Sequence, residues 1–120
     1  MTENELKQRT KKFALRILKI VAALPKTTIG RAIGGQLVRA GTSVGANYRA
    51  ACRARSKKEF ISKLGIVEEE TDESAFWLEL IIEGKILKKS LVESLLNEAN
   101  EILAIIISSR ITASGNNPKS

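Results

Sequence analysis

Between residues 29 and 51 the apolar side chains Ile29, Ile33, Leu37, Ala40, Val44, Tyr48 and Ala51 recur at steps of 4, 4, 3, 4, 4 and 3. Only an α-helix places such positions on one face, because its 3.6-residue turn alternates between steps of three and four. The run lasts about six turns and is the strongest periodicity in the chain. It persists through Gly30, Gly34, Gly35, Gly41 and Gly45, each costing about 1 kcal/mol relative to alanine inside a helix. Something must offset that cost. Gly30, Gly34, Gly41 and Gly45 fall on one flank of the stripe, where the lack of a side chain lets another backbone come close. The contact is a tight one between helices, within the subunit or between subunits. A break near Gly34–Gly35 or Ala40–Gly41, leaving two shorter helices, is the alternative.

Three further helices flank this one. Thr27 or Thr28 caps the glycine-bearing helix, and Pro25 stops the helix before it. In that first helix, about residues 4–24, Leu6, Phe13, Ile17, Ile20 and Leu24 share a face, widened by Ala14, Leu18 and Val21. Ser56-x-x-Glu59 ahead of Phe60 forms a capping box that starts a third helix at about Lys57. Its stripe reads Phe60, Leu64, Val67, Thr71, Ser74/Ala75, Leu78 and Ile81/Ile82. Gly84 and the run Lys85–Lys89 mark a turn. Ser90-x-x-Glu93 is a second capping box, opening a fourth helix with Leu91, Leu95, Ala99, Ile102, Ile106 and Ile111 inward.

Four amphipathic helices with short connections predict an all-α, antiparallel up-down-up-down four-helix bundle. It forms one domain over residues 1–113, followed by a disordered tail over 114–120. Phe76, Trp77 and Leu80 lie off the third stripe. A helix apolar all round is buried all round, and in so short a chain the cover is another subunit. The bundle is therefore expected to be a homo-oligomer with Gly41, Gly45, Phe76, Trp77 and Leu80 at its interface.

Composition removes several kinds of chemistry. There is no histidine and one cysteine, Cys52. Intrachain disulfides, Cys/His zinc sites, serine-protease-like triads and the Glu-x-x-His pairs of di-iron bundles are all excluded. No apolar run reaches the ~18 residues that span a bilayer, and the N-terminus is too polar for a secretory signal. No membrane association is expected, and a cytoplasmic location is the default. Glycines 35 and 41 with Thr42 and Ser43 do not make a phosphate loop, since the lysine and the spacing are wrong. Thr42 and Ser43 have no neighbouring base, Cys52 reads as a small packing residue, and Tyr48 packs with its hydroxyl at an edge. Glu68, Asp72 and Glu79 lie near one face. Ion pairing with Arg39, Arg49 or Arg53 is favoured there over a metal or acid–base site. No cofactor is expected.

The charge is asymmetric. Residues 1–63 carry 15 Lys/Arg against 3 Asp/Glu, a net of +12; residues 64–120 carry 5 against 10, a net of −5. Either the basic half meets nucleic acid or the two halves neutralise each other on packing. The candidate binding set is Arg31, Arg49 and Arg53, which project together opposite the core stripe, continued by Arg55, Lys57, Lys58 and Lys63. Aromatic residues are few and mostly apolar-face positions. Binding would be electrostatic, salt-sensitive and weakly selective for sequence.

The segment 36–63, QLVRAGTSVGANYRAACRARSKKEFISK, resembles the four helix bundle family also called 23S rRNA intervening-sequence proteins. Gln36, Leu37, Arg39, Gly41, Thr42, Ser43, Gly45, Ala46, Asn47, Tyr48, Ala51, Ala54, Ser56, Glu59, Phe60 and Lys63 match its pattern. Phe13-Ala14, Leu24-Pro25, Thr71 and Trp77-Leu78 extend the likeness over nearly the whole chain. Ala50 departs from it, where members usually carry glutamate. The resemblance implies an antiparallel bundle assembling as a homopentamer with a central channel, and no established enzymatic activity. Some members are encoded within insertions in ribosomal RNA genes. A similar protein is the accessory subunit of diversity-generating retroelements, a basic pentamer that binds nucleic acid and a reverse transcriptase. The expected function is thus a non-enzymatic oligomer that binds structured RNA or DNA, as scaffold for a partner enzyme. A protein–protein adapter whose charges serve assembly is the alternative.

Overall fold

A computed structural model describes residues 1–115. It contains α1 (Glu3–Ala23), α2 (Thr28–Cys52), α3 (Lys57–Glu83) and α4 (Lys89–Ser114), with no strand among the described residues. Helices of this length are about 32–40 Å long, so each runs along most of the 49 Å axis of the body. Helix α2 packs on α1 and α3, and α4 packs on α3. Helices α1 and α4 meet over a shorter stretch. The first three helices begin at side-chain caps: Thr2, Thr27 and Ser56 accept from the backbone N–H groups of Glu5, Gly30 and Glu59.

Helix α2 is unbroken through all five glycines. A Cβ on Gly41 would sit 2.6 Å from Ile17, which is fully buried, and one on Gly30 only 2.0 Å from the Pro25 carbonyl oxygen. Gly45 faces the backbone of Thr10, and Gly34 faces Val21 and Leu24. Rising positions on α2 thus meet falling positions on α1, and the glycine flank is the seam between these two helices. This corrects the placement of Gly41 and Gly45 at a subunit interface: both are buried under α1 of their own chain. The stripe of α2 shifts toward that flank as a result, leaving Ile29 63% exposed while Gly30 and Gly34 are buried.

Helix α3 keeps the expected core positions, with Leu64, Val67, Thr71, Ser74, Ala75, Leu78 and Ile81 buried. Its end is a Schellman turn. The N–H of Ile86 donates to the Ile81 carbonyl, and that of Lys85 to the Ile82 carbonyl. Lys85 therefore takes a left-handed φ of 56°. The turn sets the start of α4 at Lys89, with Lys88 as a cap lacking any side-chain bond. Ser90 lies inside the helix instead of capping it. The phase moves with it: Val92 is buried and Leu91 is exposed, after which Leu95, Ala99, Ile102 and Ile106 are buried as expected. Ile111 is also exposed. At the other end α4 continues through Ser114, one residue into the expected tail, and Gly115 closes it with φ 75°. The rest of that expectation, residues 116–120, lies outside the described residues.

Three arginines join helices through carboxylates. Arg9 on α1 holds Glu98 on α4 by two bonds of 2.7 Å and reaches Glu101 at 3.2 Å. Arg39 on α2 binds Glu70 and Glu73 on α3, and Arg110 on α4 binds Glu68 on α3 at 2.7 Å. The Arg9 bonds hold the Glu98 carboxyl below its ordinary range, against a smaller opposing effect of burial. With α1 and α4 otherwise in limited contact, this two-pronged pair is their main polar tie.

Gly41→Ala lowers the melting temperature, since overpacking costs about 1–3 kcal/mol. Gly35→Ala, with open space at its Cβ, raises stability by up to about 1 kcal/mol; calorimetry on the two variants checks the opposite signs. Lys85→Gly relieves the left-handed backbone and stabilises by up to about 1 kcal/mol, read from urea midpoints. Because the Glu98 pKa is lowered on folding, its contribution is complete above the unfolded carboxylate value and disappears as pH falls through the folded one. Glu98→Gln therefore costs about 1 kcal/mol near pH 7, and melts of the two proteins converge in acid.

Candidate nucleic-acid interface

Residues 6–58 contain no Asp or Glu at all. Every cation in this stretch must find its partner on α3, α4 or the first residues of α1, or go without. Arg9 and Arg39 are taken by the acidic helices as described. Arg16 is bound to the Ser94 hydroxyl at 2.7 Å, and Lys7 meets Glu3 at 3.5 Å on the surface. Lys11, Arg49, Arg53, Arg55, Lys57, Lys58 and Lys63 make no ion pair among the described residues.

The structure divides the sequence-derived set. Arg49 and Arg53 are exposed, one turn apart near the end of α2. They face Lys7, Gln8 and Lys11 of α1 across a groove. The groove continues over a floor of small residues, Ala14, Thr42, Gly45 and Ala46. Arg55, Lys57 and Lys58 are exposed at the adjoining α2–α3 connection, while Lys63 is half-buried on α3. Arg31 is elsewhere. It lies 18 residues before Arg49 on the same helix, about 27 Å along the axis. There its guanidinium donates to the Lys26 carbonyl oxygen at 3.1 Å, beside a separate cleft lined by Val21, Leu24, Pro25, Gly34 and Val38. A helical projection superimposes Arg31 on Arg49, but axial distance separates them.

Lys7 and Lys11 lie outside the sequence-derived set. Their four-residue step matches that of Arg49 and Arg53, and the acid-free stretch contains all four; those were the available signals. The ion-pair expectation for the acidic face also changes in detail. Glu68 is held by Arg110, and Arg39 is held by Glu70 and Glu73 in place of Glu68 or Asp72. Arg49 and Arg53 take part in neither pair.

The remaining candidate groups are accounted for by packing. Thr42 and Ser43 donate to backbone carbonyls of the preceding turn, from Val38 and Arg39. Burial raises the pKa of both Tyr48 and Cys52, so the thiol stays protonated and poorly nucleophilic near neutrality. Trp77 donates its indole N–H to Glu73 at 3.0 Å and meets Phe76 edge-on, with ring centres 5.2 Å apart. Trp77 is thus half-buried against its own core, whereas Phe76 and Leu80 remain exposed, Phe76 at 52%. Among the described residues no helix is long and apolar enough to cross a membrane.

Comparison with known proteins agrees with this architecture. No protein of curated function matches the chain. A crystal structure of a protein of unknown function from the S23 ribosomal protein family of Bacteroides thetaiotaomicron is similar over 92% of this chain and 98% of that one, with 35% identity and a TM-score of 0.84. Residues 2–108 match the family described as 23S rRNA-intervening sequence protein. With four mutually packed helices and a match over nearly its whole length, the chain belongs to the 23S rRNA-intervening sequence protein family.

Proposed function

We propose that this protein is a non-enzymatic, cytoplasmic nucleic-acid-binding bundle that engages structured RNA or duplex DNA through one cationic end. The observation that carries the reading is the unequal division of charge. The carboxylates of α3 and α4 hold Arg9, Arg39 and Arg110. Arg49 and Arg53, with Arg55, Lys57 and Lys58 at the adjoining turn, are left exposed with no side-chain ion pair among the described residues, and the Glu59 carboxylate beside them accepts from the backbone N–H of Arg55. Concentrated positive charge of this kind neutralises phosphates and releases counterions without reading bases. The family's name, which refers to ribosomal RNA, is consistent with a nucleic-acid partner.

The second part of the reading is assembly. The exposed Phe76 and Leu80 lie one turn apart on α3, bordered in sequence by Asp72, Glu79 and Glu83. An apolar pair with an acidic rim suits a protein contact. A homo-oligomer of antiparallel up-down-up-down bundles, pentameric as the resemblance implies, would place several cationic ends on one particle and add avidity. Such a particle is suited to act as scaffold for a partner enzyme. The same face is what favours the alternative, an adapter that binds protein only.

The deciding experiment measures binding of labelled structured RNA and of duplex DNA across a salt series, with particle mass determined on the same sample. The expected result is micromolar or tighter binding at physiological salt, with affinity falling linearly in log–log form. The combined variant Arg49→Gln, Arg53→Gln, Lys57→Gln, Lys58→Gln loses that binding at unchanged mass. Unchanged affinity would overturn the reading, and a change of mass with no nucleic-acid effect would establish the adapter instead.

A further inference from the structure

We infer that the groove between α1 and α2, walled by Lys7 and Lys11 on one side and Arg49 and Arg53 on the other, is a clamp for the phosphodiester backbone of one nucleic-acid strand. The inference rests on the nucleic-acid reading above and names the part of the cationic end that does the binding. Three features of the groove select this ligand.

The first is the spacing of charge. Each wall carries two cations four residues apart, so each wall places its charges about 6 Å apart along the axis. That interval is comparable to the separation of neighbouring phosphates along a strand. Lys7, Lys11 and Arg49 border both parts of the groove.

The second is its floor. Ala14, Thr42, Gly45 and Ala46 leave nothing bulky between the walls. The helices can approach this closely because Gly45 lies against the Thr10 backbone, with only 3.3 Å from a would-be Cβ to the carbonyl oxygen. The aromatic rings nearest in sequence, Phe13 and Tyr48, are both buried. With no ring available for stacking, the groove offers donors for phosphate oxygens and no platform for bases.

The third is the near absence of competing acid. Glu3 is the one carboxylate paired with a wall residue, at 3.5 Å from the Lys7 ammonium on the exposed surface. Its position at the rim makes it a local competitor for the backbone. Glu5, two residues along, instead accepts from the Thr2 hydroxyl at 3.1 Å.

Position, separated from total charge, is the quantity to test. Lys11→Gln with Arg49→Gln removes one charge from each wall, at residues that border both parts of the groove. Lys85→Gln with Lys88→Gln removes two from the α3–α4 connection, about 40 Å along α3 from Lys57. Both pairs are exposed, and thermal melts confirm folding. The groove pair is expected to weaken RNA binding at least about tenfold and to reduce the salt slope by about 2, whereas the distant pair changes affinity less than about threefold. Glu3→Gln tightens binding more than Glu5→Gln, although both alter net charge equally. Acetylation mapping by mass spectrometry on the unmutated protein gives a second reading: bound RNA protects Lys7 and Lys11 and leaves Lys85 reactive. Equal losses from the two pairs, or unprotected Lys11, would overturn the clamp while leaving nucleic-acid binding standing. Failure of the unmutated protein to bind RNA or DNA would remove both readings. Inorganic polyphosphate serves as the competing source of phosphate. If it occupies the groove, protecting Lys11, while nucleic acid does not, the strand assignment is overturned.

Discussion

The close seam between α1 and α2 is the constraint on which the rest of this molecule depends. Gly30, Gly41 and Gly45 remove side chains where the first helix and its connection must lie, and Ile17 and Thr10 occupy the space made available. Inside a helix each glycine is unfavourable by about 1 kcal/mol, so the arrangement persists only because the packing against α1 returns more than that. The seam rotates α2 so that its glycine flank turns inward and Ile29 turns outward. It also brings Lys7 and Lys11 beside Arg49 and Arg53 over a floor of small residues. The same close approach that completes the core therefore shapes this cationic groove.

Charge follows from how the seam positions the remaining helices. Helix α3 takes Arg39 and helix α4 takes Arg9, each through two carboxylates. These pairs cross-link neighbouring helices and absorb part of the +12 of the first half. They do not reach the other side of the α1–α2 layer. Buried polar groups show the same economy. Thr10 and Thr71 are fully buried and donate to backbone carbonyls of their own helices, and no buried side-chain polar atom among the described residues lacks a partner. The interior leaves no polar group in search of a ligand, so function is sought on the surface, where the unpaired cations are.

Much of the fold was legible in the chain. Spacing of Leu64, Val67, Thr71, Ala75 and Leu78 gave the inward face of α3, and Ser56 marked its first turn through a bond to the Glu59 N–H. The fourth helix was legible in existence but misphased at its start. Leu91 and Val92 are adjacent apolar residues, and only the Schellman turn with Lys85 in the left-handed region decides which points inward. The candidate site was legible in part. Arg49, Arg53, Arg55, Lys57 and Lys58 share one end, whereas Arg31 belongs to the other, because a projection down the axis discards the dimension that separates them. Lys7 and Lys11 were invisible as site residues because their relevance comes from a helix distant in sequence.

What the sequence by itself determined is local and periodic. A 3.6-residue repeat, helix caps, Pro25 between the first two helices and an acid-free stretch from residue 6 to 58 dictate four helices and an excess of positive charge, since each acts through near neighbours along the chain. Tertiary structure alone decided which cations are neutralised and which are left together. Ion pairing falls off steeply with distance and exposure, and the distances between Arg9 and Glu98, or between Lys11 and Arg49, exist only once the glycine seam has set the helices in register.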